Sequence, residues 1–261
     1  MEILNTDKLK NEIINNLETN TIKNKIIIMS MKANSEENSY KKFIIKKCQR
    51  FNIDFIDKEF EANTRVDEII NFANSFDKDD GFIVLLPFNN YKYLDKIRSE
   101  IYIKDLDGFT FISQGKALNG QIDYLPATPK ATAKFLQTIT DIKGKNICIA
   151  NSKNLIGLPL ANYLSKYRAT VSILNSISPN QKELIYNSDI FISAIGKANY
   201  YDKSYFRDGQ ILIDIGTSFV NGMIVGDINY HVLNDLDIKV LTNKKGIGAL
   251  TTLTLIQSLI D

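Results

Sequence analysis

Residues 144–164, GKNICIANSKNLIGLPLANYL, decide how the chain is read. A turn-forming start leads into Ile147-Cys148-Ile149-Ala150. Such a short, unbroken apolar run is what a parallel strand buried on both faces requires. Asn151-Ser152-Lys153-Asn154 is a polar loop, and beyond it Leu155, Ile156, Pro159, Leu160 and Leu164 mark the inner face of a helix. Strand, short polar loop and helix form the unit that holds a phosphate on backbone N–H groups at a helix N-terminus. The glycine-rich fingerprint of dinucleotide folds is reduced to Gly157, so the pattern fits an ordinary βα turn as well.

The same alternation extends in both directions. Downstream, apolar runs at 169–174, 190–194, 211–215 and 238–241 read as strands with helices between them. Ile195-Gly196 and Ile215-Gly216 place glycines just past strand ends, where the ligand crevice of an open parallel sheet lies. Upstream, the spacing predicts a helix over 6–17, a strand over 25–29 and a helix over 40–51 with Phe43, Ile44, Lys47, Cys48 and Phe51 on one side. A strand over 53–56 follows. Thr64-Arg65-Val66-Asp67 then has the form of a capping box ahead of Ile69, Ile70 and Phe72, and a strand over 82–86 is ended by Pro87. Strands alternating with helices predict an α/β protein with parallel sheets. Pro126 and Pro129 mark a non-helical junction, with Thr128 expected to cap a helix whose first position is Pro129. The boundary is placed near Asn119, giving domains over 1–119 and 120–249, and the apolar helix within 250–261 is expected to pack back on the first.

With 44% hydrophobic and 24% charged residues, the 261-residue chain has the composition of a soluble globular protein of one large or two modest domains. Basic and acidic residues number 32 and 30, so the net charge of +2 gives no electrostatic ground for nucleic acid or a membrane surface as partner. The N-terminus lacks the apolar core and cleavage site of a signal peptide, and no apolar run reaches membrane-spanning length, so a cytoplasmic protein is expected. Cys48 and Cys148 lie far apart in apolar patterns and read as small buried hydrophobes. With a single histidine, His231, the composition argues against a metal site or a Ser-His-Asp triad.

In this order the motifs resemble those of the bifunctional FolD family, methylenetetrahydrofolate dehydrogenase / methenyltetrahydrofolate cyclohydrolase, over almost the whole chain. The family's Y-V-x-x-K-x-K helix is similar to residues 40–46, its D-G-I-L-V-Q-L-P strand to 80–87, and its K-D-V-D-G-F to 104–109. Its P-C-T-P resembles 126–129, and its V-I-G-R-S-x-x-V-G-x-P resembles 148–159. A-V-G-K, I-D-V-G and G-x-V-V-G-D-V resemble 194–197, 213–216 and 222–228. The resemblance implies an N-terminal catalytic domain, a Rossmann-like dinucleotide-binding domain, NADP or NAD as cofactor, a tetrahydrofolate derivative as substrate, and a homodimer. It implies Asp107 as the carboxyl that hydrogen-bonds the pterin and Tyr40 as a ring stacking on it. Asn151, Ser152, Lys153, Gly157, Gly196 and Thr217 are its implied cofactor-binding positions.

The departures bear on chemistry. The family's catalytic lysine falls at Ile44, one helical turn from Tyr40 on the same face. A register with Phe43 as the aromatic would put Lys47 at that position, but the unshifted spacing runs cleanly to Thr64. The glutamine before Leu-Pro is Leu85, the first glycine and the serine of the dinucleotide loop are Asn151 and Lys153, and the last motif is reduced to residues 244–251. An isoleucine moves no proton and activates no water, so the cyclohydrolase step is expected to be lost or weak. Hydride transfer rests on the cofactor and on alignment, and is expected to survive. The alternative is a non-catalytic binding or regulatory protein on the same scaffold. A shikimate-type dehydrogenase has no local motif in its favour.

Overall fold

The computed structural model describes residues 1–244 and 246–260; Lys245, within the stretch compared with the family's last motif, and Asp261 lie outside the described residues. The chain opens with β1 (Glu2–Ile3), α1 (Asp7–Thr19), β2 (Ile26–Met31), α2 (Ser35–Arg50), β3 (Phe55–Phe60), α3 (Val66–Asn74) and β4 (Gly81–Val84). It continues through α4 (Leu94–Glu100), β5 (Lys104–Asp105), α5 (Phe111–Leu118), α6 (Ala127–Ile139), β6 (Asn146–Ala150), α7 (Gly157–Lys166) and β7 (Thr170–Leu174). It closes with α8 (Gln181–Tyr186), β8 (Ile190–Ser193), β9 (Ile211–Asp214), β10 (Ser218–Val220), β11 (Met223–Val225), β12 (Lys239–Leu241) and α9 (Ile247–Gln257). Two compact units divide these elements: Asn11–Ala127 with Thr252–Asp261, and Thr128–Thr251 with Met1–Lys10. The first ten residues fall in the latter because Glu2 and Leu4 donate their N–H groups to the carbonyls of Ile238 and Val240, adding β1 in parallel to β12.

In the 11–127 unit the strands run parallel in the order β3-β2-β4-β5. Every residue of β2 is buried, as a central parallel strand covered on both faces should be. Met29, Phe60, Ile69, Phe82, Phe88 and Ile97 belong to one core cluster beside this sheet. The buried Asp80 closes the turn into β4, accepting from Lys25 N at 2.9 Å and Asp77 N at 3.2 Å. At the start of α2, Asn34 and Glu37 form a reciprocal capping box. The buried stripe of that helix is Glu37, Lys41, Ile44 and Cys48. Phe43, expected on the inner side, is 61% exposed because it lies outside that i, i+4, i+7, i+11 line.

Two expected caps are replaced. Arg65 stands at the start of α3 with no side-chain cap, since Lys96 holds the Asp67 carboxylate at 2.8 Å and Arg65 approaches it at 3.7 Å. α6 starts at Ala127, so Thr128 lies in its first turn rather than capping it. Pro129 is tolerated there because first-turn N–H groups have no intrahelical acceptor to lose.

In the 128–251 unit the described residues form a sheet in the order β1-β12-β9-β8-β6-β7, parallel throughout. From β6 the chain goes first to β7 on one side and then to β8 on the other. The carboxyl end of β6 is therefore a topological switch point, the place where open parallel sheets bind ligands. β10 and β11 make a separate antiparallel hairpin. Leu155, expected on the inner face of the helix after β6, precedes α7 and is 39% exposed; Leu160, Ala161, Tyr163 and Leu164 supply the buried face.

Ile69 is fully buried in the cluster beside β2 and β4. Ile69→Ala is expected to lower the stability of the 11–127 unit by roughly 2–5 kcal/mol, read by denaturant unfolding followed by far-ultraviolet circular dichroism.

Candidate active site and dinucleotide cleft

In the 11–127 unit, Asp107 lies just past β5 and Tyr40 lies on α2. The turn at Asp107-Gly108 is built by local acceptors: Asp105 takes the N–H of Asp107 at 3.1 Å, and the N–H and hydroxyl of Thr110 at 2.7 and 3.0 Å. Gly108 has φ +62°, and a Cβ there would come within 2.9 Å of the Tyr124 carbonyl and the Pro126 ring. That close approach brings Ala127 over Asp107, whose Oδ1 accepts the Ala127 N–H at 2.6 Å. Burial pushes the Asp107 carboxyl up to about 7, with the hydrogen bond from Ala127 acting in the opposite direction. The Tyr40 phenol is raised well above its ordinary range, first by burial and then by the negative charge of Asp107. The structure therefore places Tyr40 and Asp107 within each other's field.

The residues at the departed positions are apolar and enclosed. Ile44 is fully buried and Leu85 is 3% exposed. Glu37 ties the first turn of α2 to the loop after β4, accepting from Asn34 N at 2.8 Å and Phe88 N at 3.4 Å.

In the 128–251 unit a cleft of about 280 Å³ opens at the carboxyl ends of β6, β7 and β8, lined among others by Asn151, Ser152, Lys153, Leu174, Ser176, Ile195, Lys197 and Tyr200. Asn151 is 7% exposed and its side chain turns inward. Its Oδ1 accepts the N–H groups of Lys153 (2.9 Å) and Gly157 (3.1 Å), while its Nδ2 donates to the Ala194 carbonyl at 2.6 Å. The carboxamide thus takes the first N–H of α7, which a phosphate takes in an open loop. Gly157 packs behind it, where a Cβ would lie 1.7 Å from the Asn151 carbonyl. Ser152 and Lys153 remain exposed on the rim. Gly196, at φ +67°, turns the chain between the lining residues Ile195 and Lys197. Thr217 is exposed and stands outside the cleft lining, with its carbonyl 3.7 Å from where a Gly196 Cβ would lie.

Sequence reasoning placed two groups here inside matched motifs but gave them no role. Lys197 stands over the Tyr200 ring at 5.2 Å, and that ring packs edge-on against Tyr201. Beneath the cleft, Asp214 and Asp227 are fully buried. Asp214 accepts from Gly216 N, Asp227 N, Ile228 N and the Tyr230 hydroxyl, and burial pushes it up to about 6. Asp227 accepts from Ser193, Ile195 and Lys197. The signal was the neighbouring glycines: a Cβ at Gly216 would fall 2.0 Å from the Asp227 carboxyl, and one at Gly226 would fall 2.1 Å from Asp214 Oδ2.

A parallel α/β sheet with a cleft at its switch point is the arrangement in which nucleotide-linked enzymes hold their ligands. The family model described as tetrahydrofolate dehydrogenase/cyclohydrolase, NAD(P)-binding domain, matches residues 126–261. The bifunctional protein FolD of Clostridium novyi is 35% identical over 221 residues, covering 83% of this chain and 80% of that protein. The crystal structure of the bifunctional FolD enzyme from Campylobacter jejuni superposes with a TM-score of 0.90 at 25% identity, covering 100% of this chain and 97% of that one. The Trypanosoma brucei enzyme, solved with NADP cofactor and inhibitor, shares the fold at a TM-score of 0.84 and 19% identity, covering 99% and 95%. The chain belongs to the tetrahydrofolate dehydrogenase/cyclohydrolase family, enzymes of folate one-carbon metabolism, and carries its NAD(P)-binding domain.

The sign of the Asp107 linkage follows from its raised folded-state value. The contribution is fully present below the unfolded carboxyl range, near 3.8, and is lost as pH rises through about 7. Asp107→Asn is expected to flatten the fall in stability of the 11–127 unit between those pH values, read as denaturation midpoint against pH.

Proposed function

We propose that this chain catalyses NADP-linked oxidation of 5,10-methylenetetrahydrofolate to 5,10-methenyltetrahydrofolate and releases the methenyl product without hydrolysing it. The observation that carries this reading is Ile44, fully buried one helical turn from Tyr40, where the family carries its lysine. In this reading the 11–127 unit holds the folate and the 128–251 unit the dinucleotide. Asp107, fixed by the Ala127 N–H, presents carboxyl oxygens to the pterin's N–H donors, and the Tyr40 ring supports the pterin face. Ile44 and Leu85 offer the methenyl carbon neither an ammonium nor an amide, so no side chain at those positions activates water or relays a proton. The bound nicotinamide supplies the hydride chemistry, and the protein supplies orientation.

The cleft residues fit a dinucleotide. Ser152, Lys153, Ser176 and Lys197 offer hydroxyl and ammonium donors, and no acidic side chain is among its lining residues. β7 ends at Leu174 and is followed by Asn175-Ser176, without the carboxylate that pairs with a free ribose 2′-hydroxyl in NAD sites, which favours NADP. One observation favours the second reading, a non-catalytic relative: the Asn151 oxygen already occupies the Gly157 N–H. The homodimer and a role in purine supply rest on family resemblance, and the cytoplasmic setting on the sequence patterning of the N-terminus and the apolar runs.

A single assay with methylenetetrahydrofolate and each oxidised cofactor tests the proposal. Reduced cofactor is expected together with methenyl product that decays only at its spontaneous rate. Methenyl product consumed faster than that would refute the argument from Ile44, and folded protein giving neither signal would favour the non-catalytic reading. Ser176→Asp is expected to raise the KM for NADP by roughly tenfold or more while sparing that for NAD, by repulsion of the 2′-phosphate.

A further inference from the structure

We infer that Asp227 is a positioning residue for the cofactor: its buried carboxyl holds residues 195–197 in the shape that forms one wall of the dinucleotide cleft. Its Oδ2 accepts the Ser193 hydroxyl at 2.6 Å and the Ile195 N–H at 2.7 Å, and its Oδ1 accepts the Lys197 N–H at 2.8 Å. These donors come from the last residue of β8 and the turn after it. Ile195 and Lys197 both face the cleft, with Gly196 at φ +67° between them. The N–H groups of Ile195 and Lys197, on either side of Gly196, converge on the two oxygens of the Asp227 carboxyl.

Asp227 is itself fixed from both sides. Its carbonyl accepts the Tyr201 N–H at 3.0 Å, beside bonds from Asn199 N to Gly226 O and from Asn229 N to Tyr201 O, both 2.9 Å. That ladder carries Tyr200, whose ring lines the cleft. On the far side Asp214 accepts the N–H groups of Asp227 and Ile228 at 3.2 and 3.0 Å. Gly216 packs flush against the carboxyl, leaving no space for a longer acid. Replacing the carboxyl with a carboxamide keeps the volume and turns one acceptor into a donor. In either orientation that donor would face a backbone N–H, of Ile195 or of Lys197, and the turn would be released.

The inference rests on the cleft being the dinucleotide site, so the experiment separates the two. NADP and NAD are titrated calorimetrically into the parent, Asp227→Asn and Ser193→Ala, and KM for dinucleotide and for methylenetetrahydrofolate are measured on each. With a parent that binds dinucleotide, Asp227→Asn is expected to raise the dinucleotide Kd and KM about tenfold or more, with the folate KM unchanged. Ser193→Ala, which keeps the carboxyl and removes one donor, is expected to raise them a few-fold by the same measure. Equal dinucleotide affinity in parent and Asp227→Asn overturns the inference alone, as does a proportional rise in both KM values. If Asp227→Asn does not fold, an unchanged dinucleotide Kd in Ser193→Ala overturns it. A parent that binds neither dinucleotide overturns the reading of the cleft, and this inference with it.

Discussion

Burial of parallel strands on both faces is the constraint on which the rest of this structure depends. β2 and β8 expose nothing along their length, so neither presents a side chain to solvent on a sheet face. Chemistry is displaced to the loops, and in a parallel sheet the loops at the carboxyl ends all gather on one edge. In the 11–127 unit Asp107 follows β5; in the 128–251 unit the 151–156 loop follows β6, Ser176 follows β7 and Lys197 follows β8.

Loops that leave a buried sheet must satisfy their own backbone groups. In this chain short acidic and amide side chains do so repeatedly. Asp105 collects the N–H groups of the Asp107–Thr110 turn, Asn151 those of the loop entering α7, and Asp214 and Asp227 those of the segments after β8, β9 and β11. Three of these acceptors are matched by a glycine that permits the approach, Asn151 by Gly157, Asp227 by Gly216 and Asp214 by Gly226, while Gly108 makes room for the Tyr124 carbonyl and the Pro126 ring. The glycines that sequence comparison treats as signatures are, physically, the space left for a carboxyl, a carbonyl or a neighbouring ring.

The two halves depart from the family in different ways. In the 11–127 unit, reactive positions have become buried hydrocarbon while the Asp107 turn keeps a full set of hydrogen bonds. Recognition and hydrolysis place different demands on a site: the first needs matched hydrogen-bonding groups, the second a group that moves a proton. In the 128–251 unit, a glycine has become Asn151, and its carboxamide supplies internally the acceptor for an N–H that a ligand meets elsewhere. The hydroxyl of Ser152 and the ammonium of Lys153 stay exposed on the rim of the cleft.

The sequence by itself determined the α/β class, five parallel strands between 147 and 241 though not the β10–β11 hairpin, and the places where glycines follow strand ends. Apolar run length and alternation are local properties, and burial on two faces leaves them no other reading. It also determined that Ile44 stands one turn from Tyr40, since helical spacing alone sets that. Only the tertiary structure decided which side chains complete the turns. The failed cap at Thr64 shows why: Asp67 lies at the right spacing, but Lys96, from another helix, takes its charge. The same holds for β1, too short to signal itself and formed only because β12 offers an edge. The inward turn of Asn151 and the convergence of three donors on Asp227 depend on segments tens of residues apart, so no local pattern could contain them.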